Sequence, residues 1–257
     1  MDMKSNPFHR ARWSIAVLGA LALVACGGGG GTGDAGTPST EGVYAGVLNG
    51  SSSGSTAFQL LMLDNGELWS MYGTQGASAF VAAGFVQGSG TQVSHAFVST
   101  NTRDFGTVPA QGVTTSALHD PTANTLSGTV GSTSFVGTPL PTSLYTYGTP
   151  AVPGTVTGSW TTTSLSGERV TVDITPGGTF TATSSLGCSL SGTIVPRPSG
   201  KNVFNVAVTF GASPCALPSQ AASGIAIAYP LPTGRTQLLV AVVNPARTAG
   251  LALVGTK

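Results

Sequence analysis

What most constrains this chain is the alternation of apolar and polar side chains in short runs, with no run at the 3.6-residue period of a helix. In RVTVDI, residues 169–174, Val170, Val172 and Ile174 share one side while Arg169, Thr171 and Asp173 share the other, as successive side chains of a strand do. Phe204, Val206, Val208 and Phe210 repeat the pattern, and IAIAY (225–229) and QLLVAVV (237–243) add two more apolar runs. Gly, Pro, Asn and Asp separate such runs, and no stretch of Glu, Lys, Leu and Ala supplies an amphipathic helix. The chain is therefore expected to be all-β.

A repeat divides it. Residues 61–69, LMLDNGELW, align without gaps to 172–180, VDITPGGTF, pairing Leu61 with Val172, Leu63 with Ile174 and Trp69 with Phe180 around a Gly-containing turn. Each copy reads as a β-hairpin. A Gly-plus-aromatic start precedes each, at Tyr44 and Trp160, and TSFVGT at 133–138 matches LALVGT at 251–256. Between the halves, residues 139–153 hold four prolines and no clean alternation, which marks a semi-extended linker. Two domains follow, 41–138 and 154–257, each of about 100 residues and so large enough for its own core.

Seven or eight strands in a meander must close or leave adhesive edges. Two tandem small antiparallel β-barrels of about eight strands each are expected, with β-sandwich domains as the alternative. Most runs are shorter than the roughly 9–11 residues a membrane-spanning strand needs, and aromatic girdles are missing, which argues against a transmembrane barrel. Large aliphatic and aromatic side chains pointing inward would fill so small a barrel, so solid interiors are expected.

The amino terminus carries Lys4, Arg10 and Arg12 ahead of the apolar WSIAVLGALALVA, ending at Cys26. A basic segment followed by an apolar one of this length describes an export signal over residues 1–25. Its end, Leu23-Val24-Ala25-Cys26, resembles the lipobox of bacterial lipoproteins. That resemblance implies cleavage before Cys26, a diacylglycerol on its thiol and acylation of the new amino terminus. It also implies, by the enterobacterial sorting rule, outer-membrane delivery, because Gly27 is not the Asp that retains lipoproteins in the inner membrane. Residues 26–40, with five consecutive glycines after the cysteine, read as a lipidated flexible tether spanning roughly 20 Å as a random coil. The Gly-aromatic first strand, hairpin meander and final strand ending VGT also resemble the small lipocalin-like or transferrin-binding-protein-B-type barrels of Gram-negative surface lipoproteins.

With Cys26 assigned to lipid, Cys188 and Cys215 remain, and in an oxidising compartment they are expected to form a disulfide. Without the signal segment the chain has seven basic and eight acidic residues, a balance that indicates no nucleic-acid partner. The halves differ, however: residues 41–139 hold Arg103 against five acids, a formal −4, and residues 154–257 hold six bases against two acids, a formal +4. They could attract one another, or the basic half could face an anionic partner.

No catalytic or metal-ligating set emerges. GSSSG (50–54) matches the nucleophile-elbow expression but lies in a Ser/Gly-rich loop, and adjacent His119 and Asp120 are not expected to form a triad with Ser52. His95, at the parity of Val93 and Phe97, reads as a partly buried strand residue. No enzyme activity, cofactor or metal is expected. The membrane, through lipid on Cys26, is the expected partner, together with an envelope or host ligand that the sequence does not specify. The functional expectation is an outer-membrane-anchored binding or interaction lipoprotein, on the periplasmic face or the cell surface; the alternative is a structural envelope protein with solid barrels. Cys26→Ala is expected to abolish incorporation of labelled palmitate and move the protein out of the membrane fraction, measured by metabolic labelling and cell fractionation.

Overall fold

A computed structural model describes residues 40–51, 53–76 and 79–257; the export segment, Cys26, the glycine run and Ser52 lie outside the described residues. The first eight strands are β1 (Gly42–Asn49), β2 (Ala57–Met62), β3 (Glu67–Gln75), β4 (Phe80–Val93), β5 (Ala96–Asp104), β6 (Gln111–Asp120), β7 (Thr125–Val130) and β8 (Thr133–Pro139). A 3-10 turn at Pro153–Thr155 precedes β9 (Gly158–Ser164), β10 (Arg169–Ile174), β11 (Thr179–Ser184) and β12 (Ser189–Pro196). The last four are β13 (Phe204–Phe210), β14 (Ala221–Pro230), β15 (Thr236–Val243) and β16 (Gly250–Thr256). Each set of eight is a closed antiparallel meander, with β8 returning to β1 and β16 to β9. The two barrels expected from the sequence are formed, and the sandwich alternative is set aside.

The repeat is real in structure, but one residue out of the sequence alignment. Tyr44 stands opposite Leu60, and Trp160 opposite Val172, so Leu60, not Leu61, is the counterpart of Val172. The turns agree: Gly66 and Gly178 each donate to the carbonyl three residues back, at Leu63 and Thr175, and both have φ of 80°. A one-residue slip reverses every side chain in a strand. Leu61, Leu63 and Trp69 accordingly face out of the first barrel, whereas Val172, Ile174 and Phe180 face into the second. The aromatic starts do correspond. Tyr44 Oη donates to Thr40 O at 3.2 Å and Trp160 Nε1 to Val156 O at 2.6 Å, four residues back in each case.

The outward residues of β2 and β3 are apolar because the second barrel covers them. Leu61, Trp69, Met71 and Phe85 of the first barrel pack with Ile225, Ile227, Leu239 and Val243 of the second, forming a core between the barrels. This explains the unbroken apolar runs of β14 and β15, which are buried on both faces: Ala226, Leu238 and Val242 point into the barrel while Ile227, Leu239 and Val243 point at its neighbour. Segment 139–153 joins in through Tyr145, which is buried against Tyr229 and donates to Asn202 O. Two ion pairs link the acidic and basic halves, Lys201–Glu41 at 3.0 Å and Arg197–Glu67 at 3.9 Å. They border a contact that is mainly apolar.

Cys188 and Cys215 are bonded. Cys188 lies in the β11–β12 turn and Cys215 in the β13–β14 loop, so the bridge ties two loops across one end of the second barrel, where both cysteines and Leu217 are buried in its core. Replacing both cysteines by alanine should cost about 3–4 kcal/mol, from the entropy of the closed loop, measured by urea denaturation with the reduced wild-type protein as comparison.

Candidate binding site in the first barrel

The two interiors are filled differently. In the second barrel Trp160, Phe180, Ile194, Val206, Leu238 and Leu253 meet across the axis, leaving a gap of only about 40 Å³. The expectation of a solid interior holds there. It fails in the first barrel, which contains a cavity of about 300 Å³ lined by Leu60, Met62, Leu68, Val86, Ala117 and Phe135 together with polar groups. Among the described residues of β4, only Val86 lines it. The registry of β4 with Leu68, Ser70 and Tyr72 turns Gly88, Val86 and Gly84 inward, and the two glycines make way for Thr102 and Tyr72, whose atoms lie 2.5 and 2.2 Å from where the glycines' Cβ atoms would stand.

The cavity opens at one end. Ser51 and Ser53 from the β1–β2 loop, Gly106 and Thr107 from the β5–β6 loop and Thr133 at the start of β8 all border it. At the opposite end Tyr44, Phe97 and Leu126 are buried and close the barrel. The corresponding open end of the second barrel is the one capped by the disulfide.

Near the open end sits one acid. Tyr72 Oη donates to Asp104 Oδ1 at 2.7 Å, and the Gly106 amide donates to the same oxygen at 2.8 Å. Glycines on both sides leave room for the phenol in this position: a Cβ at Gly84 would lie 2.2 Å from Tyr72 Cζ and Oη, and one at Gly106 1.7 Å from Tyr72 Oη. Burial raises the Tyr72 pKa well above the ordinary tyrosine value, reinforced by the hydrogen bond to Asp104 and then by its charge. The phenol therefore stays protonated and remains a donor at neutral pH.

A β-bulge decides that this acid points inward. Phe97 and Ser99 face the interior, and simple alternation would send Asn101 and Arg103 after them. The register of β5 against β6 shifts between Ser99 and Thr102, and from there Thr102 and Asp104 take the inward positions, the effect of one extra residue on one strand. Hydroxyls bind the bulge from within: Ser99 Oγ donates to Ser89 O at 2.6 Å, Thr102 Oγ1 to Ser99 Oγ at 3.1 Å and Thr115 Oγ1 to Thr102 Oγ1 at 3.0 Å. From outside, Arg247 in the β15–β16 turn of the second barrel donates to Asn101 Oδ1 at 2.6 Å and to the Asn101 and Gln87 carbonyls at 2.9 Å each. Arg103 stands opposite Gln87, between the inward-facing Val86 and Gly88 of β4, and so lies on the outer side; burial, and then repulsion from Arg103, lower the Arg247 pKa.

The histidines considered from sequence lie elsewhere. His95 and His119 are neighbours at the closed end, with ring centroids 6.1 Å apart, and His119 lies 6.3 Å from the Tyr44 ring. The open end, with Ser51 and Ser53, is at the other end of the barrel. Asp120 faces solvent beside them, its carboxylate pKa lowered by the amides of Ala123 and Thr122. Among the described residues no three His, Cys, Asp or Glu side chains are placed to hold a metal ion. Sequence reasoning missed Tyr72 and Asp104. Gly84 in AGFVQGSG (83–90) was the available signal for the close approach of Tyr72, but the parity of Asp104 was hidden by the bulge.

No protein family matches the chain, and no curated relative does. Among solved structures, immune modulator A of Aeromonas veronii is similar over 84% of this chain and 94% of its own, at 13% identity and a TM-score of 0.31. So loose a likeness bears on neither ligand nor activity.

Tyr72→Phe should destabilise the protein by about 1–2 kcal/mol through loss of a hydrogen bond to a charged acceptor that partly retains solvent, measured by chemical denaturation.

Proposed function

We propose that this protein is a lipid-anchored binding module of the bacterial outer envelope, in which the first barrel takes up a small, largely apolar molecule and the second barrel is its solid support. The observation that carries the proposal is the contrast in filling: one barrel is packed and capped by a disulfide, and its tandem copy is hollow and open. A cavity of about 300 Å³ lies at the small end of the range for ligand sites, and apolar walls with a few converging polar groups are their usual composition. The lipobox at Cys26 supports the envelope location, and the glycine run after it supports display away from the bilayer. A purely structural envelope role gives no use for an unfilled interior, since unfilled volume costs stability.

The test is titration of the full chain, held in lipid nanodiscs, with the fluorescent apolar probe N-phenyl-1-naphthylamine, subtracting empty discs. Saturable binding is expected. Ala117→Phe, which places a ring in the hollow, should weaken it about tenfold or more, because the probe and the ring compete for the same volume. Wild-type protein without saturable uptake overturns the proposal.

A further inference from the structure

We propose that the first barrel selects amphiphiles carrying a primary ammonium group, with the alkyl body in the cavity and the head held by Asp104 and Tyr72. The inference rests on the binding role proposed above and adds the chemistry of the ligand's polar end.

The decisive feature is an uncompensated charge beside an apolar cavity. Asp104 borders the cavity, and among the described residues no Lys, Arg or His does. The ion pairs among the described residues are Arg197–Glu67 and Lys201–Glu41, neither involving Asp104. Arg103, its neighbour in sequence, is turned to the outer side by the bulge, opposite Gln87 of β4. Both hydrogen bonds to the carboxylate, from Tyr72 and from the Gly106 amide, go to Oδ1. Oδ2 thus keeps its acceptor capacity, and the Tyr72 oxygen, while donating its proton, keeps lone pairs of its own. Ser70 and Thr115, also on the cavity wall, can supply a further acceptor to a head with three N–H donors.

An ammonium satisfies this arrangement on two counts. It neutralises a carboxylate held beside low-dielectric surroundings, and it meets acceptors with donors. A carboxylate head would have to sit against a like charge with only hydroxyl donors to offset it, and would be rejected. A neutral alcohol can donate one hydrogen bond to Oδ2 but gains no charge pairing. The expected order is amine, then alcohol, then acid.

Octylamine, octanol and octanoate share a chain and differ in the head, so their displacement of N-phenyl-1-naphthylamine from the full chain in nanodiscs reads the head alone. Octylamine should displace the probe at a concentration about tenfold or more below octanoate. Asp104→Asn, which keeps an acceptor for Tyr72 but removes the charge, should bring the two within about twofold, as expected when only a neutral hydrogen bond remains. Titrations with disc-only blanks and with Ala117→Phe remove partition into the bilayer. Octanoate matching or surpassing octylamine, an unchanged ratio in Asp104→Asn, or failure of all three chains to displace bound probe would each overturn the head-group inference. Failure of the probe itself to bind wild-type protein would instead bring down the binding role on which it rests. Circular dichroism spectra of the variants, matching wild type, exclude misfolding as the source of any loss.

Discussion

The apolar contact between the barrels is the constraint on which the rest of the structure depends. Leu61, Trp69, Met71 and Phe85 leave the first barrel's interior to meet Ile225, Ile227, Leu239 and Val243 of the second, so much of the large apolar side-chain volume on β2–β4 is committed outside the barrel. Burial of each such side chain contributes about 1.5–3 kcal/mol relative to exposure, more than the two bordering ion pairs can supply. With stability drawn from this third core, the first barrel can leave its own interior incomplete. The second barrel has both resources, a filled interior and a covered outer wall, and forms the better packed half.

Much of this was legible in the residues. Alternation in RVTVDI placed β10 with the right side inward, and the Gly-aromatic starts marked two first strands whose Tyr44 and Trp160 occupy matching positions. TSFVGT and LALVGT proved structurally equivalent, with Phe135 and Leu253 each facing its own core. The pairing of Cys188 with Cys215 followed from thiol arithmetic. The hairpin alignment erred by one residue because the residues it matched are apolar for different reasons, facing a neighbouring barrel in one half and the barrel axis in the other. Uninterrupted apolar runs such as QLLVAVV carried the information that two faces are buried, which a period-two pattern alone does not separate from a single buried face.

The site was less legible because it is built from what is missing and from a change of phase. Gly84 and Gly88 make way for Tyr72 and Thr102 without offering any chemistry of their own, and the same glycines read in sequence as turn or breaker signals. Tyr72 reads as one more aromatic in a strand until the close approach of Gly84 and Gly106 shows that its hydroxyl is cradled. Arg247 lies 146 residues from Asn101 in sequence, yet it holds the strand segment that orients Asp104. Local pattern cannot anticipate a contact supplied by a turn of the other barrel.

The bulge between Ser99 and Thr102 gives the first barrel an unusual evolutionary handle. On one side of the strand wall stands an anion, on the other a cation, and they are consecutive residues. If residues 97–104 ran as a regular strand, with the bulge smoothed and no residue removed, Asp104 would turn out and Arg103 would come inside. The chamber would reverse its sign with no amino acid exchanged at either position. The sign of the charge facing the chamber is thus set partly by backbone phase, where a comparison of substitutions between related chains would overlook it.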